Sequence, residues 1–459
     1  MTPLSHLLQL CLDGGSHRIC LEGGSAYSAD VLRRKVLAFA AALQARPEST
    51  WALWVQTPFE FLACFLGLAL AKKNIVLPGD MQTGTANQLA EHFDALISLD
   101  AFANLAKPVF HPEQLHGDRK ADFFALPCAD IRIQLFTSGS TGEPRAVDKT
   151  LAQLETELDA LQRQWGATLG QLPVVATVSH QHIYGLLHAV LWPFYRRAPF
   201  SDGWFQYPEE LCATAAKHGR VNLISSPTHL KRLPHNNVFC STRDHFAWVV
   251  SSAGLLDRDT ACQLGELLGQ APLEVLGSTE TGGVAWRQQQ VQPMWRPLPG
   301  VRCSRDAQGC LTVHSAHLDE AHRESGYSMG DRVEMLANGD FVLLGRTDAV
   351  VKVEGKRLSL TAMERHLQDH PWVAGARVLL LQGKREETAA VVELTPQGEE
   401  HLAALGKLAT NTAFRAHLLQ FFERPLLPRR WRYITEWPAD AQGKVVLRDL
   451  LQLLDGAQH

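Results

Sequence analysis

Along most of this chain, short apolar runs take turns with longer segments whose apolar residues recur every three or four positions. The run "WALWVQ" (51–56) precedes "FEFLACFLGLALA" (59–71), which is followed by "NIVLPG" (74–79). "IRIQLF" (131–136) leads through a glycine-rich stretch into "TLAQLETELDALQRQW" (150–165), where Leu151, Leu154, Leu158 and Leu161 fall on one helical face. "LPVVATVS" (172–179) and "HFAWVVSSAG" (245–254) are again short and β-rich. The second precedes the helical "RDTACQLGELLG" (258–269) and then "LEVLGSTETGG" (273–283). Such alternation predicts an α/β architecture with substantially parallel sheets. The texture changes near residue 345. There "GRTDAVVKVEGKR" (345–357) gives way to a helix candidate, "LTAMERHLQDH" (360–370), two strand-like runs (376–382 and 389–395) and further helices. The expected organisation is a large domain over residues 1–347 and a small α+β domain over residues 348–459.

Composition narrows the function classes. The 459 residues are 46% hydrophobic and 20% charged, the balance of an ordinary globular protein. A formal net charge of −4 gives no basis for sequence-independent binding to nucleic acid. The nine cysteines are scattered with no CxxC pair, which reads as idle thiols in a reducing compartment. No basic n-region or small-residue cleavage signature marks the N-terminus, so the cytoplasm is the expected location. The most apolar stretch, Phe61–Ala71, is about half the length of a membrane span and reads as a buried helix.

Candidate chemistry begins at "LFTSGSTGEPRAVDKT" (135–150). Gly139 and Gly142 allow positive φ and close approach of the backbone to a ligand, and successive N–H groups can form an anion nest. Thr137, Ser138, Ser140 and Thr141 add hydroxyls, and Arg145 adds a cation suited to phosphate. The Walker pattern is absent, so by itself the stretch reads either as a phosphate turn or as a polar Ser/Gly surface loop. His180, His182 and His188 cluster without a carboxylate or cysteine at ligand spacing, which argues against a metal.

Four further motifs follow in order: "HIYG" (182–185) with "SSAGLL" (251–256), "LGSTETGG" (276–283), "YSMGD" (327–331) with "GRTD" (345–348), and "QGKVVLRDL" (442–450). Together with the first, they make the chain resemble the acyl-adenylate-forming superfamily: acyl- and aryl-CoA synthetases, adenylation domains of peptide synthetases, and luciferases. The resemblance runs nearly end to end. It implies that Thr137–Arg145 is a triphosphate loop, with Arg145 where the family usually has Lys. It implies that His182, with Gly185, lines an acyl pocket to which Gly282 and Gly283 also contribute, plain core packing being the other reading of His182. Ser226 and Val284 are weaker candidates for the same wall.

The turn carrying Ser252 and Gly254 would face adenine, and Leu276 stands where an aromatic usually stacks on it. Thr279 would donate to the α-phosphate and Glu280 would hold Mg²⁺. Asp331 would accept ribose hydroxyls, although Met329 replaces the usual Thr. Arg346 would assist at ribose or phosphate. Asp348 would be the interdomain hinge, with Ala349 in place of a second Asp. Gly355 would line a pantetheine tunnel, and Lys444 would be the catalytic lysine.

The implied activity is ATP-dependent ligation of a small-molecule carboxylic acid to a thiol through an acyl-adenylate. The acceptor is CoA or the phosphopantetheine of an acyl carrier protein. In length and in "LGSTETGGVAWR" the chain is similar to stand-alone ligases of bacterial aryl-polyene and xanthomonadin pathways, which implies an aromatic acid such as a hydroxybenzoate. A medium-chain fatty acyl-CoA synthetase and a catalytically silent acyl-nucleotide-binding protein are the alternatives. The run "ERPLLPRRWRY" (423–433) places Arg424, Arg429, Arg430 and Arg432 together, either as a solvated patch or as a surface for acceptor phosphates or an acidic carrier.

Overall fold

A computed structural model describes residues 5–22, 27–79, 81, 86, 88–102, 105–117, 131–138, 144–346, 350–353, 356–381, 387–422, 424–438 and 445–455. The chain divides into two compact units: residues 1–303 with 313–327, and residues 304–312 with 328–459.

The first unit contains two parallel-rich sheets. Strands β1 (Thr50–Trp54), β2 (Asn74–Leu77), β3 (Ala95–Ser98), β4 (Val109–Phe110), β5 (Arg132–Ser138) and β6 (Pro144–Thr150) form one sheet in the order β4-β3-β1-β2-β5-β6. All its pairings are parallel except the β5–β6 hairpin. Strands β7 (Val174–Ala176), β8 (Phe200–Trp204), β9 (Val221–Ser225), β10 (Phe246–Ser251), β11 (Leu273–Ser278), β12 (Gly282–Gln288) and β13 (Gln292–Pro297) follow the order β13-β12-β11-β10-β9-β7-β8. From β8 to β11 this second run is parallel; β11–β12 and β12–β13 are antiparallel. The α/β expectation holds, and the antiparallel edge is what periodicity did not predict.

The apolar segment after β1 forms the helix Pro58–Leu70, buried at every position except Glu60. A helix that is apolar all round must be covered all round. Proline at its first turn and Thr57 in extended conformation set its start. The helix Leu151–Leu169 opens with a capping box in which Thr150 and Gln153 satisfy each other's backbone N–H. It buries the expected Leu151, Leu154, Leu158 and Leu161, together with Trp165. Two carboxylates on the same helix, Glu155 and Glu157, are buried as well. Glu155 accepts from the Ser5 hydroxyl and the Leu7 N–H, and so caps the helix His6–Asp13.

The second unit holds the antiparallel pair Tyr327–Met335 and Phe341–Arg346, a two-stranded hairpin (Val350–Val353 and Lys356–Ser359), and a three-stranded sheet. That sheet joins Val373–Leu381, Glu387–Leu394 and Arg430–Ile434, the last pair running parallel. The helices Leu360–Gln368 and Pro396–Leu418 close a core that includes Met363, Leu367, Val378, Val392 and Phe414. No helix among the described residues is long and apolar enough to cross a membrane.

Candidate active site

Ligands in open parallel sheets lie beyond the carboxyl ends of the strands, and in this protein those ends carry hydroxyls. Strands β7, β9, β10 and β11 run into Thr177, Ser225–Ser226, Ser251–Ser252 and Ser278–Thr279. The Thr177 and Ser225 hydroxyls are 2.8 Å apart, and Ser252 Oγ donates to the Val275 carbonyl at 2.7 Å. Among the described residues, Ser226 Oγ and Ser251 Oγ are buried with no hydrogen-bond partner. The Tyr184 hydroxyl sits between β9 and β10, 3.1 Å from the Ser225 carbonyl and 2.9 Å from that of Val250. Sequence reading missed Ser225, and it gave no separate role to Ser251 or Tyr184 within their motifs. The only available signal was a hydroxyl at the end of each apolar run.

After β10 the chain turns through Ser252, Ala253 and Gly254. Ala253 has φ +67°, a left-handed conformation that costs a non-glycine residue about 1–3 kcal/mol. The turn it forces leaves Ala253 and Gly254 exposed while Ser252 stays buried. A Cβ on Gly254 would meet only Pro227, at 3.5 Å, an ordinary contact.

Beyond β11 lies the tip of the β11–β12 hairpin. Thr279 and Glu280 are partly exposed there, and Thr281 is fully buried. The Ser278 N–H donates to Thr281 Oγ1 at 3.1 Å, and the Thr281 N–H donates to Ser278 Oγ at 3.2 Å. A register shift between Leu276 and Gly277, with φ +67° at Gly282, narrows the hairpin. A Cβ on Gly277 would lie 2.4 Å from the Gly282 carbonyl oxygen, so no side chain fits there. Leu276 is half-buried on β11.

Under this tip lies a set of buried ionisable groups absent from the sequence reading. Lys149 Nζ donates to the Glu280 carbonyl at 2.6 Å and to the His317 carbonyl at 2.9 Å. Glu157 Oε1 accepts from the Gly283 N–H at 2.6 Å. Burial pushes the Glu157 carboxyl up to about 7, against the opposing effects of Lys149 and the Gly283 N–H. Burial likewise lowers Lys149, with Glu157, Asp319 and Glu280 pulling the other way. His317 is lowered to about 4, again mainly by burial and next by Lys149. A signal for Glu157 did exist: it falls on the Leu154–Leu161 stripe, an odd place for a carboxylate.

His182 precedes the short helix Ile183–Gly185. A Cβ added to Gly79 would lie 2.8 Å from the Phe136 carbonyl and 3.3 Å from His182 Cε1. The imidazole therefore stands where β2 and β5 end. His180 and His188 are core residues: the His180 ring contacts the Val55 carbonyl at 2.8 Å, that of His188 the Tyr184 carbonyl at 3.2 Å. Burial lowers both to about 4. Gly185 has a packing reason to be glycine, since a Cβ there would be 2.0 Å from the Ser179 carbonyl oxygen. We expect Gly185→Ala to lower stability by at least the 1–3 kcal/mol of an overpacked site. An unchanged thermal melt would show that this packing has been misread.

In the second unit Asp331 is buried on its strand, in register with Arg346. Met329 of the same strand is buried too. Arg430 of the basic run is paired with Glu387 at 2.7 Å. Gly139, Ser140, Thr141, Gly142, Asp348, Ala349, Gly355 and Lys444 lie outside the described residues. Of Thr137, Ser138, Arg145 and Arg346 only the strand backbone is described, Thr137 registering with Arg145 across β5–β6. No group of three or more His, Cys, Asp or Glu that could hold a metal occurs among the described residues.

Comparison with known proteins adds three findings. Residues 83–309 match the family described as AMP-binding enzyme. The chain is similar to a 4-coumarate–CoA ligase of Cereibacter sphaeroides, 26% identical over 320 residues, covering 68% of this chain and 70% of the relative. It is also similar to a probable CoA ligase of Humulus lupulus, 24% identical over 372 residues, covering 70% of this chain but only 61% of the relative. Among solved structures, ATP-bound MatB from Rhodopseudomonas palustris shares the fold, with TM-score 0.78, 18% identity and 98% of both chains covered.

Proposed function

We propose, from the match of residues 83–309 to the AMP-binding enzyme family, that this protein is an ATP-dependent acid–thiol ligase. One observation carries the reading. The Thr279–Glu280 tip, the Ser252 turn and His182 all lie at the carboxyl ends of parallel strands, inside the matched region. A carboxylate is a poor acylating agent because its leaving group would be oxide. In the proposed reaction its oxygen attacks the α-phosphorus of ATP, and the bond to pyrophosphate breaks. A thiolate then attacks the acyl carbon of the mixed anhydride, and AMP departs.

Two anions must meet in the first step, so positive charge and donors must be in place beforehand. Thr279 donates to the α-phosphate, Asp331 holds the ribose, and the 137–145 loop grips the phosphates that leave. Glu280 offers a single half-exposed carboxylate. That suits Mg²⁺, which takes one or two carboxylates and fills its remaining positions with substrate phosphates and water. Bound there, it would neutralise phosphate charge. Lys444 bridges the acid and the nucleotide, Arg346 assists at the ribose, Asp348 is the hinge, and Gly355 leaves room for a pantetheine arm.

The favoured acid is aromatic, a hydroxybenzoate or a cinnamate, in keeping with the similarity to a 4-coumarate–CoA ligase. The acceptor is CoA or a carrier-protein phosphopantetheine, and a stand-alone ligase of the aryl-polyene type is the narrowest form of the reading. A cytoplasmic location accompanies it, the described cysteines being free thiols. Acid-dependent pyrophosphate exchange across benzoates, cinnamates and medium-chain fatty acids tests the proposal, followed by thiol capture with CoA or a holo carrier protein. Exchange with aromatic acids is expected. Exchange confined to fatty acids would replace the aromatic reading, and ATP binding without any exchange would mark a silent nucleotide-binding protein.

A further inference from the structure

The buried charges under the hairpin tip need a reason. Glu157 and Lys149 retain 2% and 3% of their exposure. Burying an ion pair is weak evidence for stability, because apolar replacements of similar volume are often neutral or stabilising. Each of these groups hydrogen-bonds to backbone. Lys149 holds the carbonyl of Glu280, 131 residues away in sequence, and Glu157 holds the N–H of Gly283, 126 residues away. The two anchored backbone atoms flank the turn on either side of Thr281. The β11–β12 ladder ends at the Ser278–Gly282 pair, so the cross-strand register leaves Thr279–Thr281 unpaired. Space is also committed to the carboxylate: a Cβ on Gly282 would lie 2.3 Å from Glu157 Oε2, and one on Gly283 would lie 3.1 Å from Glu157 Oε1. The two glycines and the carboxylate therefore fit one another. His317 and Asp319 stand beside Lys149, and Arg163 acts on His317, completing the charged surroundings.

We propose that Glu157 and Lys149 are positioning residues for adenylation, clamping the backbone on both sides of the tip so that Thr279 and Glu280 face the triphosphate in a fixed orientation. This rests on the ligase reading above and adds to it a pair of residues that touch neither substrate nor metal. A clamp of this kind acts on the transition state more than on ground-state binding, because it removes the reorganisation that would otherwise accompany reaction.

The test uses the full chain. Hydrogen–deuterium exchange of the 276–286 segment reads the clamp directly, and pyrophosphate exchange reads its use. Glu157→Ala removes the acceptor and is expected to speed amide exchange at the tip. It should also lower kcat about 10–100-fold, the usual effect of removing a group that orients a catalytic ligand, with KM for the acid nearly unchanged. Glu157→Gln keeps a carbonyl acceptor and should recover most of both readouts. Lys149→Met strands the carboxylate and should be worse than Lys149→Met combined with Glu157→Gln. If the alanine variant does not fold, Glu157→Asp, one methylene shorter, serves in its place with an intermediate loss. Unchanged tip protection, unchanged kcat, or a change confined to KM would each overturn the proposal. If the wild type itself shows no exchange with any acid, the ligase reading falls with its use of the clamp, and tip protection alone decides whether Glu157 holds the turn.

Discussion

Replacing Lys444 with alanine is expected to lower acid-dependent pyrophosphate exchange by about 10²–10³-fold while the protein remains folded. The reasoning starts from charge. A carboxylate and an α-phosphate repel each other, and negative charge redistributes along the attacking oxygen, the phosphorus and the departing pyrophosphate. An ammonium between acid and nucleotide stabilises that arrangement most when the bond is half formed. The thiol step has no such need, since its electrophile is a preformed anhydride. Thioester formation from a supplied acyl-adenylate should therefore survive the substitution. A variant that keeps near-normal pyrophosphate exchange would remove Lys444 from the first step. One that loses both steps equally would point to a general defect.

The second large effect concerns Glu280. Glu280→Gln should cut exchange about 100-fold and raise the Mg²⁺ concentration needed for half-maximal rate, while leaving the hairpin intact. The two halves of that expectation separate because the residue has two parts with different duties. Its carbonyl is held by Lys149, and glutamine preserves that contact. Its carboxylate stands partly exposed at the tip. A magnesium titration at saturating ATP measures the first half, and a thermal melt the second. An unaltered magnesium response would mean that Glu280 does not hold the ion.

Local pattern made the parallel architecture legible, because β-branched runs and three-to-four spacing report which face of an element is buried. The helix Pro58–Leu70 and the stripe on Leu151–Leu169 follow from that alone. The antiparallel turn from β11 into β12 was not legible, since "GSTETGG" resembles any polar, glycine-rich connection until its partner strand is known. Burial of Lys149 and Glu157 was not legible for the same reason. What makes a charge affordable in a core is a partner, and here the partners are backbone groups more than a hundred residues away. The order of motifs singled out Thr279 and Glu280 as candidates. Only the structure shows what holds them.

The helix Pro58–Leu70 has a consequence for how this chain is made. Its covering elements include β1 and β2, near it in sequence, but its first turn is anchored by Asp202, which accepts the Phe59 N–H at 2.8 Å across 143 residues. At roughly 5–20 residues per second of synthesis, the helix leaves the ribosome about 7–30 s before that anchor exists. For that interval the helix has the helix Ala29–Gln44, β1 and β2 to pack against, and the β8 side of its cover is still missing. Completion of its cover is therefore a late event in synthesis, and the yield in a cell is expected to respond to translation speed.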